Sequence, residues 1–361
     1  MRISLLLATL LYCCDGDAQD TLSLLFAGDV MQHQAQINAA RRGGSYEYDE
    51  CFSMVKDRIA AADVAFANLE VTLAGEPYAG YPQFSAPDEL AQALGNAGFD
   101  VLVTANNHSC DKGEKGIRRT IGTLNTLGIG HTGTFHSQAE RDSAYPLMIE
   151  KNHFRLAVLN YTYGTNGISV PLPVIVNLID TLQMAADIMA AKAQSPDIII
   201  AIVHWGEEYQ QQPNNRQKTL ADFLIRHGVR LVIGSHPHVL QQMERRYHSD
   251  STTQSVVVYS LGNFASNQSA KNTDGGALAY IRLLKNNHEV IIDECGYQLV
   301  WVYKPTVGKQ RRFQVVPVGM LENNPDFFAK EADFIKMNEF AKNMRDLFDK
   351  ENRGFPEIIL P

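Results

Sequence analysis

The stretch GSHPH, Gly234 to His238, sets two imidazoles at i and i+2 around a rigid proline, directly after the apolar run VRLVI. Nitrogen donors spaced this way can converge on one cation or on two neighbouring ones, although a proline-stiffened surface turn has the same five letters. Ligand-type side chains recur where apolar runs stop: Asp29 after TLSLLFAG, Glu70 after VAFANL, Asn107 and His108 after FDVLVTAN, and His204 after DIIIAIV. Carboxylate, carboxamide and imidazole together suit Mn, Fe or Zn, not copper or an iron–sulfur cluster. Each also has a plainer reading. Asp29 could cap the next helix, His204 could be a hydrogen-bonded core histidine, and Glu70 could be solvated at a strand end.

The elements that must position these residues alternate. MVKDRIAAADVAFANL reads as a helix with Val55 and Ile59 on one face, then a strand over 64–69 that delivers Glu70. DELAQALGNAGFDVLVTA repeats the scheme, with Asp88 as expected N-cap and Gly98 before the strand. GIRRTIGTLNTLG, TLQMAADIMAAKAQS and QKTLADFLIRHG read as further helices, each followed by an apolar strand, and QSVVVYSLGNF as a strand ending in the turn pair Gly262-Asn263. Strands that are apolar throughout are covered on both faces. The pattern predicts an α/β fold, whose ligands gather beyond the carboxyl ends of the strands. Seven residues, Asp29, Glu70, Asn107, His108, His204, His236 and His238, fall at such ends.

Composition is that of a globular protein of 361 residues, 45% hydrophobic and 20% charged, with mean hydropathy -0.19 and net charge -8. No run of Lys and Arg supplies the clustered positive field that phosphate-backbone binding needs, which disfavours a nucleic-acid partner. At the N-terminus, MRISLLLATLLYCCDGDA places one Arg before a short apolar run and small residues after it, a secretory leader pattern with expected cleavage after Ala18. A periplasmic or cell-surface location is expected on that ground; a lipid anchor on Cys13 or Cys14 ranks second. The remaining cysteines, Cys51, Cys110 and Cys295, are odd in number and lack CxxC spacing, which argues against a disulfide framework or thiolate site.

The ordered series GDVM, NLE, ANNH, HWGEEY, GSHPH and SLGNF resembles the bacterial capsule synthesis CapA family, the poly-γ-glutamate capsule group, over about Leu22 to Asn267. That family is in turn similar to the calcineurin-like metallophosphoesterases. The resemblance implies a metallophosphatase-like sandwich of two mixed sheets flanked by helices, with two divalent cations at one edge. Asp29 resembles the first metal ligand and Glu70 the bridging carboxylate. Asn107 resembles a second-metal ligand, and His204, His236 and His238 the imidazole ligands. His108 resembles the histidine that meets the leaving group, and Asp111 is a candidate to orient it. Two departures stand out: Met31 replaces the histidine of the superfamily's Asp-x-His, and the bridging residue is Glu where Asp is usual. His33, four residues after Asp29, is the nearest substitute ligand if that segment is helical.

The implied activity is an exported metal-dependent hydrolase acting on a phosphoester or another anionic envelope substrate. Two alternatives stay open: a non-catalytic accessory or polymer-binding protein of capsule assembly or export, associated with its machinery or the membrane, and a γ-glutamyl polymer hydrolase. Trp205, Glu208 and Asn263 are candidates to line a substrate cleft. Beyond residue 320, Phe334, Met337, Ala341, Met344 and Phe348 recur at spacings of three and four, the one-sided stripe of a helix docked on the 19–320 body. A hairpin around VGKQ is expected just before it.

Overall fold

The computed structural model describes residues 20–247, 254–286 and 289–359; the leader expected at 1–18 lies outside the described residues. Two mixed sheets face each other with helices on their outer sides. In the eight-stranded sheet, β1 (Asp20–Val30) pairs in parallel with Val64–Leu69 and antiparallel with Gly275–Asn286. Val101–Val103 and Gly130–Thr132 continue the parallel side, and Glu289–Tyr303 and Gln314–Pro317 the antiparallel side. The six-stranded sheet is parallel through Phe154–Thr162, Ile198–His204, Leu231–Ser235 and Gln254–Val258, with antiparallel edges at Leu147–Lys151 and Met243–Tyr247.

Period-two alternation explains the layering. Leu22, Leu24 and Phe26 of β1 meet Ile198, Ile200 and Ile202 of the other sheet in the central core. Their neighbours Leu25 and Ala27 turn outward under Val55, Ile59, Leu90 and Leu94. Ile199, Ala201 and Val203 likewise turn outward under Met184 and Ile188 of helix Thr181–Ala193 and Leu220 and Leu224 of helix Asn215–Arg226. With both faces covered, each fully buried aliphatic side chain contributes roughly 1.5–3 kcal/mol of transfer free energy, so strands with no polar face are stable here.

Two local expectations are corrected. Asp88 is the first helical residue and not the cap: Pro87 holds the N-cap position, and the Asp88 carboxylate instead accepts from both Arg119 terminal nitrogens at 2.6 and 2.7 Å. The single strand expected over 254–264 is two. The first ends at Val258, Gly262 turns with φ 65°, and Asn263–Ala265 crosses into the other sheet to pair with β1, so Asn263 opens a strand. Gly275–Asn286, for which the sequence pattern predicts no element, forms a long hairpin with Glu289–Tyr303.

The crossing point depends on glycine. A Cβ on Gly28 would lie 2.0 Å from the Gly262 carbonyl oxygen, and the register of β1 shifts between Ala27 and Asp29. This irregularity re-aims Asp29 at the end of its strand. We expect Gly28→Ala to force the two backbones apart, lowering stability by roughly 1–3 kcal/mol in denaturant titration, the usual cost of overpacking.

Helix Glu331–Glu351 buries Met337, Phe340, Ala341, Met344 and Phe348 in the central core, where Phe348 meets Tyr297 at 4.6 Å between ring centroids. The hairpin around VGKQ is present, with Thr306–Val307 paired to Gln310–Arg311. Cys51, Cys110 and Cys295 are free thiols. No helix among the described residues is long and apolar enough to cross a membrane.

Candidate metal centre

The strands of both sheets deliver their terminal residues to one place. Asp29, Glu70, Asn107 and His108 come from the eight-stranded sheet, and His204, His236 and His238 from the six-stranded one; all are 3% exposed or less. Two sets of side chains bring ligand atoms within 4.8 Å of one another: Asp29, Glu70 and His204, and Glu70, His236 and His238. Glu70 belongs to both. One of its oxygens, Oε1, lies 3.6 Å from His204 Nε2 and 3.7 Å from His238 Nε2.

Glu70 is fully buried, yet neither carboxylate oxygen has a hydrogen-bond partner. A buried ionised carboxylate without partners is costly enough that a protein normally neutralises or pairs it. Burial, with the Asp29 charge second, pushes its pKa well above the ordinary carboxylate value. The histidines move the other way. Burial, and then the neighbouring His236, holds His204 well below its usual range; burial and then His238 lower His236 to about 3. For Asp29, burial alone would raise the pKa, but the His238 contact at 3.1 Å and the Asn68 hydrogen bond at 2.8 Å keep it low. The His204 and His236 imidazoles, held neutral by burial, with an ionised Asp29, His238 and an unpartnered Glu70 form a donor set that fits divalent cations.

Hydrogen bonds fix the donors from behind. Asn68 Nδ2 donates to Asp29 Oδ1, and Asn106 Nδ2 donates to Asn68 Oδ1 at 3.2 Å and to the Leu69 carbonyl at 2.8 Å. His204 Nδ1 lies 3.0 Å from Ser235 Oγ, and His204 Nε2 lies 3.0 Å from Asn107 Oδ1. The backbone is strained where the histidine loop turns in: His236 has φ 100° and His238 φ 56°. Positive φ at non-glycine residues costs about 1–3 kcal/mol and gathers at functional sites. Beside the centre, His108 Nδ1 lies 2.7 Å from Asp111 Oδ2, which also accepts from the Phe84 backbone N–H at 2.7 Å. The ring of Phe84 packs edge-on against His108 at 4.6 Å.

Other candidates lie elsewhere. His33 joins neither ligand set: its Nδ1 faces Gln36 Oε1 at 3.2 Å and accepts from the Asn267 N–H at 3.3 Å, because the helix begins at Gln34 and leaves His33 at its entrance. Met31 packs in the core with Ser266 Oγ 3.7 Å from its sulfur. Trp205 packs in the core, stacked on Tyr259 and donating from Nε1 to its carbonyl at 2.9 Å; one residue past His204, it faces the opposite side of the sheet. Asn263 is fully buried and donates to the Thr273 carbonyl and Gln268 Oε1, both at 2.8 Å, and to the His238 carbonyl at 3.4 Å, so it braces the loop behind His238, while its Oδ1 has no hydrogen-bond partner. Glu208 is exposed beside Tyr209, at the mouth.

Asn68, Asn106 and Ser235 belong to the site as neighbours of the ligands within NLE, ANNH and GSHPH that carry no assigned role in the sequence reading, and Tyr163 belongs to it from outside those motifs. Tyr163 lays its ring 4.5 Å from that of His236. The available signal for Asn68 was a carboxamide inside an otherwise apolar strand, a placement that requires buried partners.

The titrations predict how the metal-free protein behaves. Glu70 has a raised folded pKa, so its contribution to stability is full below about 4.5 and is lost as pH rises. For His236 the folded pKa is depressed, so its contribution is lost as pH falls from about 6.5 toward 3. Metal-free Glu70→Gln is therefore expected to be more stable than the metal-free parent at pH 7.5, by about 1–3 kcal/mol, with the difference closing toward pH 4.5. Urea titrations of the two chelator-treated proteins check it.

Comparison with known proteins gives matches over most of the chain. The family described as bacterial capsule synthesis protein PGA_cap matches residues 23–268. Capsule biosynthesis protein CapA of Bacillus anthracis is 28% identical over 288 residues, 76% of this chain and 66% of that protein. PGA biosynthesis protein CapA of Bacillus subtilis is 28% identical over 278 residues, 74% and 70% respectively. The chain thus spans about two thirds of these relatives' length. Among solved structures, the calcineurin-like phosphoesterase YfkN from Bacillus subtilis superposes with TM-score 0.47 at 11% identity, covering 92% of this chain and 100% of that one.

Proposed function

The chain belongs to the bacterial capsule synthesis protein family, and from that premise we propose that it is an exported metal-dependent hydrolase acting on a phosphoester or another anionic substrate of the cell envelope. The observation that carries the reading is Glu70, fully buried with two unpartnered oxygens between two sets of ligand atoms. Two cations of the Mn, Fe or Zn kind, one held by Asp29, Glu70 and His204 and one by Glu70, His236 and His238, would lower the pKa of a bound water and neutralise charge on the substrate.

The chain's own residues do the rest. Asn68 holds Asp29 ionised and oriented, and Ser235 Oγ and Asn68 Nδ2, 3.0 and 3.2 Å from His204 Nδ1, fix the ring so that Nε2 faces the ligand set. Asp111, itself fixed by the Phe84 N–H, orients His108 through Nδ1 and leaves Nε2 as the proton donor to a departing oxygen. Tyr163 covers the His236 ring and limits water on that side.

A second reading, a polymer-binding protein of capsule assembly without turnover, is favoured by one observation: Met31 stands where the wider superfamily has a histidine, so one cation position has one imidazole fewer. Elemental analysis of the mature protein, purified without a metal-affinity tag, separates the cases when followed by assays with phosphoesters and γ-glutamyl peptides. We expect one to two metals per chain, lost in Asp29→Ala and His236→Ala, and turnover by the loaded protein. Metal-free protein after incubation with Mn or Zn would overturn the proposal, and stoichiometric metal without turnover would favour the second reading. Export rests on the leader, and a mature N-terminus at Gln19 tests it.

A further inference from the structure

Three of the four exposed tyrosines among the described residues, Tyr81, Tyr163 and Tyr209, stand around one place, the mouth of the metal centre. Each packs on a histidine of the site or on that histidine's support. Tyr163 lies 4.5 Å from the His236 ring, Tyr209 6.2 Å from that of His238, and Tyr81 6.4 Å from Phe84, the ring that braces His108. They come from three separate segments, so no single strand or helix accounts for the grouping. The Tyr81 and Tyr209 phenols are near enough to act on one another electrostatically, and Glu208 acts on Tyr163 and Tyr209 alike.

Tyr209 is held there under backbone strain. It has φ 66°, in the left-handed region that bulky side chains rarely adopt, and its N–H donates at 2.8 Å to the carbonyl of Pro237, between the two loop histidines. Core packing does not explain the strain, since the residue is 48% exposed. Strained backbone of this kind gathers where a side chain is aimed at a ligand. Glu208, its neighbour, is exposed, hydrogen-bonded to the Tyr209 phenol, and has no Lys or Arg partner among the described residues. Its carboxylate also acts on Glu70. An acid this close to a cation-filled centre repels a substrate that is negative throughout. It suits one that carries a positive group beside the group on the metals.

We infer that Tyr81, Tyr163, Tyr209 and Glu208 form a subsite for a quaternary ammonium group, carried on the alcohol side of a phosphoester whose phosphoryl oxygens meet the metals. The ester half rests on the hydrolase reading, and the ammonium half on the rim alone. A cation within about 6 Å of a tyrosine ring is attracted by the negative face of the ring, and several rings around it add their attractions. A tetrahedral ammonium presents the same surface to rings that meet it from different sides. A flat neutral ring offers only two faces and no charge for Glu208 to pair with.

The test is titration calorimetry of the full mature chain with phosphocholine and with neohexyl phosphate, the isostere in which carbon replaces nitrogen and only the positive charge is lost. Metal content is measured alongside. Glu208→Gln changes an exposed side chain, and Tyr209→Asn introduces a residue that tolerates the same φ, so the fold persists in both. We expect the metal-loaded parent to bind phosphocholine about tenfold more tightly than neohexyl phosphate, and each substitution to cut that ratio to about threefold or less with metal content unchanged. Equal affinity for the two phosphates in the loaded parent would overturn the subsite, as would a preference that survives both substitutions. Tighter binding of a nucleoside monophosphate, dependent on Tyr209 but not on Glu208, would overturn the ammonium class. If the protein holds no metal, choline against neohexyl alcohol reads the rim by itself: a choline preference lost in both variants leaves the subsite standing while the hydrolase reading fails, and no preference overturns the subsite as well.

Discussion

His108→Ala is expected to lower kcat by about 10²–10⁴ on a substrate with a poor leaving group, the range for loss of a general acid, while metal content and melting temperature stay near the parent values. His108 lies outside both ligand sets and is fixed by Asp111 at 2.7 Å. Removing it takes away a proton donor without taking away a ligand. The diagnostic measurement is leaving-group dependence: with a nitrophenyl ester, whose leaving group needs little protonation, the deficit should shrink by an order of magnitude or more. Asp111→Asn should produce a smaller loss and displace the alkaline limb of the pH–rate profile, where a proton donor is lost, because Asp111 orients His108 without touching substrate. A His108→Ala deficit of the same size for good and poor leaving groups would assign His108 to binding and not to proton transfer.

Glu70→Ala is the second substitution of large effect. It should empty both cation positions together, taking bound metal from one or two equivalents to below a tenth, whereas Asp29→Ala should weaken chiefly the set containing His204. The asymmetry arises because Glu70 is common to both sets. Removing shared donors and leaving the imidazoles behind costs far more than the 10–100-fold typical of an outer hydrogen-bond partner. Elemental analysis and the metal-dependent shift in melting temperature read the same event independently; saturation at 100-fold over Kd stabilises by about 2.7 kcal/mol. Retention of a full equivalent by Glu70→Ala would show that the sets do not share a ligand.

The ligand residues were legible because the strands were: an apolar run such as DIIIAIV can only be an interior strand, and the residue directly after it must lie at the sheet's end. Their convergence was not legible from spacing, since Asp29 and His238 meet across two sheets and 209 positions. Resemblance supplied that link, and side-chain geometry gave it a physical content in the unpartnered Glu70. Trp205 packs on Tyr259 and also borders the cleft of about 630 Å³ along helix Asn215–Arg226, as its place directly after a strand end suggests, whereas the turn at Gly262 carries Asn263 into the other sheet, which no local pattern reveals. The hairpin partner Gly275–Asn286 went unassigned because it opens with two glycines, ordinarily punctuation. Here the second passes so near the Leu261 carbonyl that a Cβ would sit 2.5 Å from it.

That hairpin bears on how much of the chain makes a usable fragment. The family match ends at residue 268, and β1, which carries Asp29, takes its antiparallel neighbour from Gly275–Asn286, beyond that limit. A protein cut at residue 268 would keep every ligand and still present β1 as a bare edge, with the N–H and C=O groups between Asp20 and Phe26 that face Gly275–Asn286 unpaired and Leu22 and Leu24 stripped of their neighbours Leu283 and Ile281. Long apolar edges of that kind recruit other chains. Expression of such a minimal version should yield aggregates, and nascent chains should remain vulnerable to proteases until their final quarter has emerged.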